Sequence, residues 1–299
     1  MIGLAAIALL VLPALPLIGK EVNGARLWVG IGQFRFQPGE FAKILLIVFL
    51  AGYLREKREV LAQGRLKDFG PLLLIWGGAM AVLVQTNDLG SGLLYFGIFL
   101  AMLYAATARF VFVAGGLALF LAGAAFVYQI VPRVQDRVMI WRDPWPVADD
   151  EGYQLVQSLF AIAYGGFGGT GLGRGTFTFE NDEPIIPFLN TDFIYSALAH
   201  ELGLIGISAV LLVYMLFVGR GFRVAMVAQD GFSKLLAAGL TFAFALQTFI
   251  IVGGVLRLIP LTGITLPFVS YGGSSLLANF VLLAGLLLVS NRASAPRGE

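Results

Sequence analysis

The chain has 299 residues, of which 58% are hydrophobic and 13% are charged, and its mean hydropathy is +0.85. A soluble domain of this size carries about a quarter charged residues, so the composition excludes a water-soluble fold. The net charge of +2 gives no support for binding to nucleic acid, and the lack of cysteine excludes disulfides, thiolate metal sites and cysteine catalysis.

Apolar runs of roughly 16 to 26 residues alternate with short polar stretches along the chain. A helix of that length crosses about 30 Å of hydrocarbon, whereas a membrane barrel would show alternating segments of about ten residues. We therefore predict an all-α, polytopic helical membrane protein with one multi-span domain over residues 1–299, in which residues 131–192 form a long outer loop. The eight predicted spans cover residues 1–18, 39–54, 71–86, 89–106, 110–130, 193–218, 233–258 and 274–290.

The orientation follows from the lysines and arginines in the short loops, because such residues concentrate on the cytoplasmic side. They predict that both termini are cytoplasmic and that residues 19–38, 131–192 and 259–273 lie outside. The first span begins at Met1 without a charged leader and is closely followed by another span, so we expect no cleaved signal, and either a true span or the start of a truncated chain. The loop cations are Arg55, Lys57, Arg58, Arg65, Lys67, Arg109, Arg220, Arg223 and Lys234.

Ionisable residues in or beside the spans are candidates for function because a membrane tolerates them poorly. Glu40 and Lys43 lie three positions apart on one helix and can pair, so a structural ion pair is the alternative. Asp88 precedes a helix start, where capping is as good an explanation as chemistry. Asp192 closes the long outer loop at the start of the sixth span, where it is either an N-cap or a reactive carboxylate facing a cavity.

Three further features receive structural interpretations. His200 is the single histidine, so no histidine-based metal site can form, and Glu201 is expected to support helix packing through a hydrogen bond. Arg257 is expected to extend to the membrane interface. The glycine run at 165–175 is not followed by Lys-Ser or Lys-Thr, so it is no phosphate loop, and we expect a flexible, tightly turning outer segment.

Eight motifs follow one another in order along the chain. They are Asn23–Trp28, Gln37–Glu40 with Lys43, Asp88–Gly90, Asp143–Trp145, Gly152–Gln154 with Gln157 and Ser158, the glycine run, Thr191–Ile194 with Glu201 and Gly203, and Pro267–Ser275. Together these motifs resemble the SEDS family of bacterial cell-wall proteins, whose members include RodA, FtsW and SpoVE. Segment 251–263 is more similar to the RodA members. Since the family typically has ten spans, the resemblance implies that the first two spans of a typical member are missing here.

The resemblance implies a peptidoglycan glycosyltransferase that serves cell elongation, shape and division. Such an enzyme polymerises lipid II, a lipid-linked disaccharide-pentapeptide, on the outer face of the bacterial cytoplasmic membrane. Its implied protein partner is a class B penicillin-binding protein, which is a transpeptidase. Membrane lipid is a further implied partner. The alternative function is a lipid II flippase or transporter, although the expected inverted repeat is not visible. A scaffold for the transpeptidase is a third possibility.

Glycan extension needs a base for the attacking sugar hydroxyl and positive charge for the departing lipid diphosphate. Asp192 is the candidate catalytic base. Lys43 is the first candidate for the diphosphate, with Glu40 orienting it, and the other predicted substrate-binding residues are Arg26, Arg137, Arg142, Asp88 and Ser270. A divalent cation, Mg²⁺ or Mn²⁺, could take the same part, although the sequence shows no distinct ligand set. No organic cofactor is expected.

Overall fold

The computed structural model describes residues 1–16, 18–22, 25–31, 34–62, 69–179 and 183–294. A helix overlaps each of the eight predicted spans, which confirms the all-α class, although the helix in the first span is shorter than predicted. Two more helices, Pro132–Arg142 and Tyr153–Gly165, lie inside the segment predicted as a long outer loop. The α-helices in these ranges are α1 (Ile2–Val11), α2 (Pro38–Ala62), α3 (Gly70–Gln85), α4 (Leu89–Thr107), α5 (Phe110–Ile130), α6 (Pro132–Arg142), α7 (Tyr153–Gly165), α8 (Ile194–Val227), α9 (Gly231–Val255) and α10 (Gly273–Ser294).

Five helices of the described ranges are long and apolar enough to cross a membrane, namely α4, α5, α8, α9 and α10. The apolar helices that include α1 and α3 are shorter, and α2 carries five consecutive charged residues at 55–59. The chain is therefore a multi-pass membrane protein. The count of eight spans stays a prediction for α1, α2 and α3.

A small antiparallel sheet stands between α1 and α2, where no strand was predicted. Its strands are β1 (Gly19–Val22), β2 (Ala25–Ile31) and β3 (Phe34–Phe36), in the order β1-β2-β3. Lys20 pairs with Trp28, and Gly30 pairs with Arg35. The available signal was the Asn-Gly dipeptide at 23–24, which is typical of hairpins, although those two residues lie outside the described part of the chain.

The chain divides into two compact units. The first contains Met1–Gly116, Val218–Leu246 and Gly273–Glu299, and the second contains Leu117–Phe217 and Gln247–Gly272. In the first unit, Ala6, Ala42 and Ala79 are fully buried in a cluster with leucines of the same helices. Small side chains allow helix backbones to approach closely, which is the usual way in which membrane helices pack.

In the second unit, the glycine run packs against a break in α8. The helix is interrupted at Gly203, whose φ is 64°. The break frees backbone groups, and the run bonds to them: Thr170 N donates to His200 O at 3.0 Å and Leu204 N donates to Gly166 O at 2.8 Å. A Cβ at position 169 would lie 2.1 Å from Glu201 O, so only glycine fits there. The run turns tightly, as predicted, with positive φ at four of its glycines, and its flexibility stays a prediction.

Candidate active site

Asp192 lies two residues before α8 and is half-buried. Its backbone N–H donates to Phe188 O at 3.0 Å, so the turn that precedes the helix fixes its position. Within the described residues, no backbone N–H of α8 bonds to its carboxylate. The N-cap alternative therefore finds no support in the geometry, and the carboxylate is left for other partners.

Ser270 fastens the segment that carries Asp192 to the chain before α10. Its hydroxyl donates to Thr191 O at 2.7 Å and accepts from Leu266 N at 2.8 Å. Tyr271 N adds a bond to Asn190 O at 2.8 Å. A Cβ at Gly263 would lie 3.4 Å from Asp192 Oδ2, so this second segment also runs close to the carboxylate. Ser270 was predicted to bind substrate, but its hydroxyl serves to connect two backbones.

Arg137, on α6, is the cation that acts on Asp192. Burial raises the pKa of the Asp192 carboxyl above its ordinary value, and the Thr191 hydroxyl and the positive charge of Arg137 lower it by less. Arg137 also donates from Nη1 to Thr262 O at 3.5 Å. A general base works best with a pKa near the operating pH, so the balance between burial and Arg137 suits Asp192 to that part.

A cavity of about 70 Å³ opens beside this pair. Arg137, Glu151 and Gln154 supply its polar lining, and Trp141 and Phe193 are among its apolar neighbours. Because Trp141 follows Arg137 by four positions, the two side chains share one face of α6. The cavity therefore brings a positive charge, hydrogen-bonding groups and an aromatic ring to Phe193, the residue that follows the candidate base.

Arg257, which was expected to extend to the membrane interface, has specific partners within the protein. Its guanidinium binds the end of α6, with Nη2 donating to Arg142 O at 2.8 Å and to Trp141 O at 3.1 Å. Carbonyls at a helix end have no partner within the helix, so a cation is favourable there. The Arg142 side chain itself is exposed. Sequence reasoning missed this role because it depends on two segments separated by more than a hundred residues.

Glu40 and Lys43 form a buried ion pair in the first unit. Lys43 Nζ lies 2.9 Å from Glu40 Oε2, and the side chains are 3% and 11% exposed. Tyr95 donates to Gly39 O at 2.6 Å, which fixes the start of α2 against α4. This geometry matches the structural alternative, because an ammonium group so deeply buried and already paired is poorly placed to receive a diphosphate.

Asp88 and Arg26 also belong to the first unit. The Asp88 carboxylate accepts from Ser91 N at 3.0 Å and caps α4, as the structural alternative expected. Arg26, on β2, forms an ion pair with Glu21 at 3.1 Å, and both side chains are about half exposed. Such surface pairs contribute little to stability. Arg26 lines an open, polar cavity of about 180 Å³ together with Glu21 and Asn87.

The predicted site residues thus fall into two groups. Arg26, Glu40, Lys43 and Asp88 lie in the first unit, and the others, Arg137, Arg142, Asp192 and Ser270, lie in the second. Within the second group, Asp192, Arg137 and Ser270 are brought together. Across the described residues, no group of three or more carboxylates or histidines could hold a metal ion. The described residues therefore form no cage for Mg²⁺ or Mn²⁺.

Comparison with known proteins places this geometry in context. The FtsW/RodA/SpoVE family model, described as cell cycle protein, matches residues 1–295. Peptidoglycan glycosyltransferase RodA of Mycobacterium tuberculosis is 46% identical over 98% of this chain, which agrees with the predicted likeness to RodA members. The chain spans 64% of the length of that relative.

Two solved structures have the same fold. One is described as the structural coordination of polymerization and crosslinking by a peptidoglycan synthase complex. It has a TM-score of 0.80 at 28% identity, and the match covers 99% of this chain and 81% of that one. The rod-shape-determining protein RodA of Thermus thermophilus has a TM-score of 0.67 at 25% identity, covering 99% of this chain and 78% of that one.

Proposed function

The chain belongs to the FtsW/RodA/SpoVE family, and from that premise we propose that it is a peptidoglycan glycosyltransferase acting on lipid II. The single observation that carries the proposal is Asp192, a carboxyl with a pKa raised by burial beside the positive charge of Arg137. The protein would serve cell elongation and shape on the outer face of the cytoplasmic membrane, with both termini in the cytoplasm. The name of the mycobacterial relative supports this activity.

The reaction joins an acceptor hydroxyl to the anomeric carbon of a lipid-linked sugar. The new bond forms between the hydroxyl oxygen and that carbon, while the bond from the carbon to the diphosphate oxygen breaks. Asp192 accepts the hydroxyl proton, and the bonding electron pair leaves with the lipid diphosphate. General-base catalysis of this kind contributes about 10²–10⁴-fold to a rate. A half-buried carboxylate is a stronger base than one in water because burial disfavours its charged form.

Arg137 is the residue that we assign to the departing diphosphate. A guanidinium presents several donors in one plane and can bind two phosphate oxygens at once. Arg137 lies beside Asp192 and lines the neighbouring cavity, whereas Lys43 is buried and paired with Glu40. Lys43 and Glu40 then act by fixing α2, and Asp88 acts by capping α4. Exposed Arg142 is left as a contact for outer parts of the substrate, and a substrate contact of Arg26 stays a prediction.

The proposed partner is a class B penicillin-binding protein that cross-links the new glycan. The peptidoglycan synthase complex with the same fold is described as coordinating polymerization with crosslinking, which supports a partner of that kind. A divalent cation that accompanies the diphosphate belongs to the proposal as well, and dependence on Mg²⁺ or Mn²⁺ is measured by adding each ion after chelation.

The test is polymerisation of lipid II by the purified full-length protein with its penicillin-binding protein, whose transpeptidase serine is replaced by alanine. Glycan strands are separated on a gel, and translocation of fluorescent lipid II is followed in vesicles that contain the same preparation. We expect glycan strands from the wild-type protein. Translocation without any glycan would overturn the transferase proposal in favour of a flippase. The absence of both activities would overturn it in favour of a scaffold.

A further inference from the structure

The end of α9 has an arginine where helices usually place glycine. Leu258 N donates to Gly253 O at 2.7 Å and Arg257 N donates to Gly254 O at 3.2 Å, which is the Schellman pattern of a helix end. Arg257 occupies the left-handed position of this motif, with φ of 59°. Glycine is preferred there because a Cβ is unfavourable in this conformation. The arginine side chain therefore needs a separate physical reason.

The reason lies in the bonds between Arg257 and α6. The guanidinium donates to Trp141 O from Nε at 3.2 Å and from Nη2 at 3.1 Å, and to Arg142 O at 2.8 Å. In return, Trp141 Nε1 donates to Arg257 O at 3.0 Å. Arg257 and Trp141 thus each contribute a side-chain donor and a backbone carbonyl. The left-handed conformation directs both the side chain and the carbonyl of Arg257 to the end of α6. Such strain persists only where the surroundings impose it.

The same segment holds α6 a second time. Five residues after Arg257, Thr262 O accepts from Arg137 Nη1 at 3.5 Å. Arg137 and Trp141 stand one helical turn apart and both line the cavity beside Asp192. Consequently, the position of the Arg137 charge depends on where residues 257–262 hold α6.

We infer that Arg257 is a positioning residue for the transferase site: it clamps the end of α6 and thereby keeps Arg137 beside Asp192 for the departing diphosphate. The inference rests on the proposed function. Arg257 itself touches neither Asp192 nor any reacting atom, and it acts through the helix. A diphosphate-linked sugar is the substrate class that this arrangement serves, because the Arg137 charge must reach the leaving group while Asp192 reaches the attacking hydroxyl.

Arg257→Gly removes the side-chain bonds to α6 and retains the left-handed end of α9. Glycine suits the left-handed position, which offsets part of the cost of the lost bonds, so the variant is expected to stay folded. Loss of the clamp is expected to lower kcat for lipid II polymerisation about 10- to 100-fold, since small displacements at an active site have effects of that size. Arg257→Lys retains a cation at the helix end and is expected to keep more activity than Arg257→Gly.

The pH profile gives a readout that a purely structural role would not change. Because the Arg137 charge lowers the pKa of Asp192, its displacement raises that pKa, and the acid limb of kcat moves to higher pH in Arg257→Gly. The matched control is Ala108→Gly, since Ala108 ends α4 in the same left-handed conformation, with φ of 54°, and makes no clamp. We expect the control to keep the wild-type kcat and pH profile.

An independent readout is hydrogen exchange at the amides of α6, which should accelerate in Arg257→Gly and not in Ala108→Gly. Unchanged kcat, acid limb and exchange in Arg257→Gly would overturn the inference. Equal losses in Arg257→Gly and Ala108→Gly would also overturn it, because the clamp would then explain nothing. If the wild-type protein makes no glycan, the proposed function fails, and the clamp loses the purpose assigned to it. Hydrogen exchange still shows separately whether Arg257 holds α6.

Discussion

Replacement of Ser270 by alanine tests how the Asp192 segment is held in place. The Ser270 side chain is buried, and its hydroxyl bonds Thr191 O at 2.7 Å and Leu266 N at 2.8 Å. Alanine fits the space but can do neither, so two backbone groups lose their partner at once. The serine was predicted from its motif, but the effect expected here follows from its two bonds.

The magnitude follows from those two groups. A buried donor or acceptor left without a partner costs about 1–3 kcal/mol. The two groups together reduce the local opening free energy by about 2–4 kcal/mol, since partial entry of water lessens the penalty. At about 1.4 kcal/mol for each tenfold change, exchange of the Leu266 amide should accelerate about 30- to 700-fold. Glycan synthesis should also fall, because Thr191 directly precedes the candidate base.

The assay is hydrogen exchange, followed by mass spectrometry of peptides that cover residues 188–194 and 261–271. Ser158→Ala is the matched control, because it removes a buried hydroxyl, paired with Ser196 Oγ at 2.7 Å, from the same unit. The control should lower overall stability without selective exchange at Leu266. If Ser270→Ala leaves the exchange of both peptides within twofold of the wild type, the hydroxyl does not hold the Asp192 segment and the reasoning is refuted.

Two other predictions concern charged residues. Arg137→Gln removes the charge that lowers the pKa of Asp192. Because the base then takes up its proton at higher pH, the acid limb of kcat should move to higher pH, and kcat should fall about 10²–10³-fold. An acid limb at the wild-type pH would contradict the assignment. Glu40→Ala takes the carboxylate away from buried Lys43 and should destabilise the protein by about 3–5 kcal/mol, whereas Glu40→Met with Lys43→Leu should cost much less. Thermal unfolding in detergent measures this difference, and equal losses for both variants would count against the buried pair.

The positions of the helices could be predicted because apolar runs end at charges, glycines or a cap. Asp88 illustrates this point, since its carboxylate caps α4 where the predicted span begins. The ion pair of Glu40 and Lys43 follows equally from local spacing, because residues three apart meet on one helix face. Features set by neighbours along the chain were accessible to sequence reasoning.

Features set by distant segments were not. The charge of Arg137 acts on Asp192, and Arg257 binds the end of α6, only after the chain has folded, and no local pattern marks either relation. Lys43 was ranked above Arg137 for the diphosphate because a lysine in a span is conspicuous, whereas an arginine in an outer segment is not. The burial of Lys43 and the effect of the Arg137 charge on the base are the reasons for which we propose the opposite order. The bonds of the glycine run to the break in α8 could not be predicted either, because they depend on tertiary packing.

The most direct test of the account is the rate of lipid II polymerisation by Asp192→Asn, measured with the wild type under single-turnover conditions. Asparagine keeps the shape and cannot accept the proton, so the rate should fall about 10²–10⁴-fold. Burial raises the pKa of Asp192, which means that its charge destabilises the fold at neutral pH; the variant should therefore unfold at the same or a higher temperature. A folded Asp192→Asn protein that polymerises lipid II at the wild-type rate would contradict the assignment of Asp192 as the base.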